Sequence, residues 1–260
     1  MGAFGTFGGR LAVTAFLSAC GAGVALADDA GSMWDVAFGG AITTNYISRG
    51  ITQTEDKPAI QGYVELDYGS FYAGIWGSNV SFVGTTDLET DLSIGWRPEI
   101  DKFSFDFGYA HYLYASTGFG AAFGEFYANA DYSVTDNDTV GAKFYFAPDY
   151  ARSGTTAQYV EANADVGIPL NLGLPGSIGA SGAVGYQFFD AAYGPSYATW
   201  NAGVYWQITD AVKLDLRYSD TNLSTADCGA LMGSAGTECG TKFLATLSID
   251  TSASTLSGSN

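Results

Sequence analysis

The sequence predicts an all-β protein: a transmembrane antiparallel up-and-down β-barrel of about 12 strands, preceded by a cleaved signal peptide. Three observations carry that prediction. Runs of roughly ten residues alternate apolar and polar side chains with the period of two that a strand imposes, the length a tilted strand needs to cross a bilayer. Charged residues make up only 14% of the chain, aromatics 15%, and glycine 35 of 260 residues, whereas about one quarter of a soluble domain is charged. No stretch beyond residue 27 approaches the roughly 20 consecutive apolar residues of a spanning helix, so a chain of this kind that crosses a membrane does so as a closed barrel.

The first residues read as an export signal. Arg10 supplies the positive charge, Leu11 to Ala19 the apolar run, and Ala25-Leu26-Ala27 the small residues before a cleavage point. Residues 1–27 are therefore assigned to the signal peptide and 28–260 to one barrel domain. A competing cut exists, because Leu17-Ser18-Ala19-Cys20 resembles a signal that ends in a lipidated cysteine.

Alternation places strands at 35–48, 59–68, 71–80, 88–97, 103–113, 122–134, 139–147, 156–168, 177–189, 197–208, 211–221 and 241–251, with a disordered polar tail from 252. The connection at Gly69-Ser70 is short enough for a tight hairpin. Connections after even-numbered strands are mostly short; those after odd-numbered strands are longer and more polar, ending with Asn222 to Gly240. That asymmetry is expected of periplasmic turns and extracellular loops, with both termini periplasmic. Within strands the two faces separate cleanly. In the second, Ile60, Val64, Leu66 and Tyr68 oppose Gln61, Tyr63, Glu65 and Asp67; in the eighth, Val160, Ala162 and Val166 oppose Tyr159, Glu161 and Asp165. A soluble sandwich also alternates. The placement of Tyr68, Phe71, Trp96, Phe103, Tyr132 and Trp206 near one end of the apolar faces favours lipid, because it matches an interfacial aromatic girdle.

The polar faces carry the functional expectation. Acids fall at Glu65, Asp67, Glu89, Asp91, Asp106, Glu125, Asp131, Glu161, Asp165 and Asp215, against bases at Arg97, Lys143, Lys213 and Arg217. If these faces surround water, the lumen favours cations; if acids and bases pair across it, they fill it instead. A barrel of about twelve strands lies between those whose interior is filled and those with open channels. The formal charge of −17 argues against nucleic-acid partners. Expected partners are outer-membrane lipid, small hydrophilic solutes or cations, and the outer-membrane assembly machinery, whose usual terminal aromatic signal is missing from the Ser-Gly-Ser-Asn end. Oligomeric state is not specified.

His111 is the sole histidine, so no histidine-based metal cluster can form and any hydrolytic triad would have to use it. Its parity places it on the apolar face near the outer rim, with no polar partner in view. No enzyme activity, cofactor or metal is expected. Cys228 and Cys239, in the longest loop of an exported chain, are expected to form a disulfide that keeps that loop compact.

Three segments carry a resemblance: Asn45-Tyr46-Ile47-Ser48-Arg49-Gly50-Ile51-Thr52-Gln53-Thr54, Pro58-Ala59-Ile60-Gln61-Gly62, and Phe71 to Val80 with Trp76, Ser78 and Asn79. They resemble the TorF family of porins, proteobacterial outer-membrane proteins also filed under the domain name Gcw_chp. The resemblance implies a porin barrel located in the outer membrane of a Gram-negative bacterium, a passive diffusion channel for small hydrophilic solutes. The alternative is a closed barrel whose outer loops bind a ligand or surface, as an adhesin or receptor does. On the family pattern, Arg49 and Gly50 fall where strand one leaves the membrane. Gly50 is expected to make a turn that a side chain would obstruct. Arg49 is expected to pair with Glu55 or Asp56 and fix the first outer loop, with a constriction as the rival role.

Overall fold

The computed structural model describes residues 33–82, 85–115, 122–170 and 173–258. Twelve long strands form one closed barrel: β1 (Trp34–Thr43), β2 (Ala59–Tyr68), β3 (Phe71–Phe82), β4 (Thr85–Trp96), β5 (Phe103–Tyr114), β6 (Phe123–Ser133), β7 (Asp138–Ala147), β8 (Ala157–Ile168), β9 (Ser177–Phe189), β10 (Tyr197–Gln207), β11 (Val212–Thr221) and β12 (Lys242–Ser252). Each pairs antiparallel with its sequence neighbours. β1 closes on β12 in a register running from Ala37↔Ser252 to Thr43↔Thr246. Closure leaves no unpaired edge, the condition for strands to sit in hydrocarbon.

The alternation sorts as expected. Ile60, Ile94, Val184, Val204 and Phe243 stand exposed on the outside, while Glu65, Asp91, Glu125 and Glu161 are buried inside. At the short-turn end a belt of rings runs around the exterior: Trp34 on Tyr68, Phe71 on Trp96, Trp96 on Phe107, and Phe103 on Tyr132, with centroids 4.5 to 6.3 Å apart. Trp206 joins this end by donating its indole N–H to the Pro175 carbonyl at 2.8 Å.

Three expectations require correction. The first strand ends at Thr43, not at 48, because the chain turns into the barrel there. β3 and β4 run further toward the loop end than predicted and leave only residues 83–84 between them. That connection is short, against the parity of loop lengths; residues 44–58, 148–156 and 222–241 at the same end are the longest connections, while 169–176 at the other end is as long as 115–122 and longer than 190–196. The tail was expected to be disordered from 252, yet Ala253–Ser257 forms a helical turn. Ser252 caps it by accepting from Thr255 N–H, and Ser254 donates its backbone N–H and its hydroxyl to Asp35 at 3.0 and 2.6 Å. The segments assigned to the signal peptide and its alternative cut lie outside the described residues.

Candidate functional site

The first loop, L1 (residues 44–58), folds inward across the loop end of the barrel. Asn45 organises its root. The Asn45 Nδ2 donates to Asp56 Oδ1 at 2.8 Å, and its Oδ1 accepts from the Thr52 hydroxyl at 2.5 Å. A two-rung hairpin, Ile47–Ser48 against Ile51–Thr52, then turns at Arg49 and Gly50, whose φ values are +46° and +82°. The wall holds this root on residues of the family motif. Tyr46 packs edge-on against Trp76 at 5.6 Å, Ser81 N–H donates to the Gln53 carbonyl at 2.7 Å, and Asn79 brackets the exit of L1 by accepting from Ile60 N–H and donating to the Pro58 carbonyl. Gln61 and Ser78 face each other 3.5 Å apart, and Gly62 lies between Gly40 and Gly77 in a row across three strands.

The tip of L1 reaches the opposite wall. Arg49 donates to both oxygens of Glu125 on β6, at 3.0 and 2.7 Å, and to Gln187 Oε1 on β9 at 3.0 Å. Its guanidinium lies over the rings of Tyr145 (β7) and Tyr159 (β8), 4.9 and 4.6 Å from their centroids. Gln187 is aimed by its own amide, which donates to the Gln158 carbonyl at 3.0 Å, and Tyr112 donates to Glu125 Oε2 at 3.0 Å. Burial works to lower the Arg49 pKa, but the charge and hydrogen bonds of Glu125 outweigh it and hold the guanidinium above its ordinary value. Gly50 abuts β10 and β11: a Cβ there would meet Thr199 Oγ1 and Thr221 Cγ2 at 2.4 Å. The expected turn role of Gly50 therefore agrees with the geometry. The expected local partner of Arg49 does not, since Glu55 bonds Lys57 and Asp56 bonds Lys242.

The acids and bases expected to line the lumen lie on strands, except Arg97, which follows the last residue of β4, and most are brought together in pairs. Arg97 bonds Glu65 at 2.5 and 3.0 Å, approaches Asp106 at 3.5 Å and Asp67 at 3.9 Å, and stacks over Tyr72 at 3.6 Å. Lys143 faces Glu161 at 3.6 Å, and Arg217 bonds Asp215 at 2.8 Å while also reaching Asn201 and Ser181. Asp165 accepts from Tyr205 at 2.7 Å, Asp131 sits over Gly141, and Lys213 lies near Asp250 and Asp215. Asp91 is different: it is fully buried, neither oxygen has a hydrogen-bond partner among the described residues, and the charges facing it belong to Glu89 and Glu125.

Tyrosines occupy much of the interior that the alternation left open between water and cross-lumen ion pairs. Tyr72, Tyr112, Tyr127, Tyr145 and Tyr159 form one buried cluster inside the barrel. Their hydroxyls hydrogen-bond the acids: Tyr72 donates to Asp106, Tyr159 to Glu161, and the Tyr72 and Tyr127 hydroxyls contact each other. Tyrosine shares the polar parity with the acids in strands two and eight, so the signal was present in the sequence.

Above the Arg49 contact lies a cavity of about 290 Å³. Its floor includes Arg49, Glu125 and Gln187. Tyr150, Phe189, Tyr193 and Tyr197 belong to its walls, and Leu231, Met232 and Glu238 of the last loop reach it from above. That loop contains α1 (Thr225–Met232), N-capped by Ser224, and the expected disulfide between Cys228 and Cys239, with Cα atoms 5.9 Å apart. The disulfide does more than compact its own loop: Cys228 and Cys239 pack with Ile51 of L1 and Tyr197 of β10, and Thr52 N–H donates to the Glu238 carbonyl at 3.1 Å. His111 is on the outward parity, its Nδ1 3.0 Å from the Tyr109 hydroxyl, beside an outer cavity that also includes Asp149 and Arg152.

A closed twelve-stranded barrel with an apolar exterior, an aromatic belt and a polar interior is the fold of outer-membrane channels. Residues 27–249 match the family described as "Bacterial protein of unknown function (Gcw_chp)", and the chain belongs to that family. The description carries neither an activity nor the TorF name. Among solved structures, the KdgM porin in complex with disordered oligogalacturonate aligns with a TM-score of 0.51 at 10% identity, covering 83% of this chain and 98% of that one. The NanC porin aligns at 0.47 with 9% identity over 83% and 98%, and an outer membrane channel from Pseudomonas putida F1 at 0.45 with 11% identity over 84% and 94%. No curated protein matches the chain.

Proposed function

We propose that this protein is an outer-membrane porin of a Gram-negative bacterium. In this reading it is a passive channel for small hydrophilic solutes with a preference for cations, its termini are periplasmic, and L1 sets its narrowest point. The observation that carries the reading is the sidedness of the barrel, with aliphatic residues outside and an excess of carboxylates over basic groups inside. Even with Arg49 added to the bases, the interior acids outnumber them. Paired groups such as Arg97 with Glu65 line the path as dipoles and narrow it. The test is single-channel recording of the refolded protein in a potassium chloride gradient.

A second reading, a closed barrel that binds a ligand through its outer loops, is favoured by one feature. L1 and the disulfide loop are bonded to each other above the lumen through Thr52, Glu238 and the Ile51–Tyr197–cystine cluster. Folded protein that never conducts, yet retains ligand binding with that loop intact, would support it.

A further inference from the structure

We propose that the cavity above the Arg49–Glu125 contact is a binding site for a small organic cation with an apolar body, of the quaternary ammonium type. The inference rests on the channel reading only for its purpose, since a ligand held there would lie on the entry path. Two properties of the wall select the class. Four carboxylates border the cavity, Glu55, Asp87, Glu125 and Glu238, against one guanidinium, Arg49. Arg49 is committed to Glu125, and Glu55 to Lys57 at 2.8 Å, which stands largely in solvent. Asp87 and Glu238 add further negative charge to the wall, the latter accepting from the Ser234 hydroxyl at 2.7 Å.

The second property is aromatic. Tyr150 lies at the centre of a ring cluster, 4.7 Å from Phe123, 5.2 Å from Phe189 and 5.1 Å edge-on from Tyr193, and Phe189 is 4.8 Å from Tyr193. Aromatic faces attract cations, and most strongly those that shed their water easily, which a quaternary ammonium does and a small metal ion does not. A neutral sugar would use the rings but gain nothing from the wall's excess of carboxylates over basic groups. An anion would meet like charge on most of the wall. Met232, an adaptable side chain at the top of the cavity, can close over ligands of differing shape. The volume lies at the small end of ligand pockets, which suits a choline-sized guest.

The experiment is equilibrium binding of choline to the refolded full-length protein in detergent, measured by titration calorimetry. The comparators are its neutral isostere 3,3-dimethyl-1-butanol, glucose and acetate, and heat-modifiable gel migration certifies folding of every sample. Choline is expected to bind at least about tenfold more tightly than the isostere, glucose and acetate. Tyr193→Leu and Glu238→Gln should each weaken choline by about fivefold to tenfold, while Tyr193→Phe, which keeps the ring, should not. Equal binding of choline and its isostere, tighter binding of acetate or glucose, or no binding of choline to folded protein would overturn the proposal. Conductance is recorded separately. A conducting barrel that ignores choline removes this site and keeps the channel, whereas a silent barrel that binds choline removes the channel and keeps the site.

Discussion

Truncating Arg49 to alanine removes the contact that holds L1 against the far wall. The guanidinium donates three hydrogen bonds, two to Glu125 at 3.0 and 2.7 Å and one to Gln187 at 3.0 Å, and covers two tyrosine rings. Glu125 would be left with a side chain only 2% exposed and no counter-charge. Removing one partner of such a buried pair costs about 3–5 kcal/mol. Spent on the seated loop, about 3 kcal/mol lowers the ratio of seated to unseated L1 by roughly two powers of ten. Single-channel recordings of Arg49→Ala and Glu125→Gln should both show larger conductance than the unmodified protein. Their selectivities should move apart: Arg49→Ala removes a positive charge and becomes more cation-selective, whereas Glu125→Gln removes a negative one and becomes less so. If both variants are folded and match the unmodified conductance and reversal potential, L1 is not the constriction and the reasoning fails.

Other consequences follow from the same geometry. Gly50→Val forces a branched side chain to a φ of +82° and into Thr199 and Thr221; it should unseat L1 and make residues 44–58 cleavable by added protease, with the barrel still heat-modifiable. Reducing the Cys228–Cys239 disulfide removes roughly 3 kcal/mol of loop constraint in the chain-entropy model, so exchange at Thr52 N–H, bonded to Glu238, should quicken while strand amides stay protected. Val204→Arg on the lipid face should cost roughly 2–4 kcal/mol near mid-depth, read as a lower midpoint of denaturant unfolding in lipid vesicles.

The barrel was legible because its physics is local. A strand in this wall must alternate, and Ile60 to Tyr68 states both faces within nine letters. L1 was not legible, because Asn45-Tyr46-Ile47-Ser48 continues the alternation of β1 after the chain has left the wall, and only Gly50 marks the turn. The partner of Arg49 lies on β6, brought to it by closure and not by spacing, so nearby Glu55 and Asp56 were the natural but wrong choice. Glu65, Glu125 and Glu161, on the polar parity of their strands, are buried inside the barrel. Their surroundings were left open between water and ion pairs, and neither alternative counted Tyr63 and Tyr159 on the same parity, where large side chains on a converging surface fill it. The disulfide followed from compartment and loop, but its contact with Ile51 required the fold.

The central claim is that ions pass through the interior of this barrel under the field of its carboxylates. It is tested most directly by the reversal potential of single channels formed by refolded residues 28–260 in a potassium chloride gradient. The account predicts discrete conductance with a potassium-selective reversal potential, diminished by Glu161→Gln. Folded protein that leaves the bilayer silent, or that conducts with a preference for chloride, would contradict it.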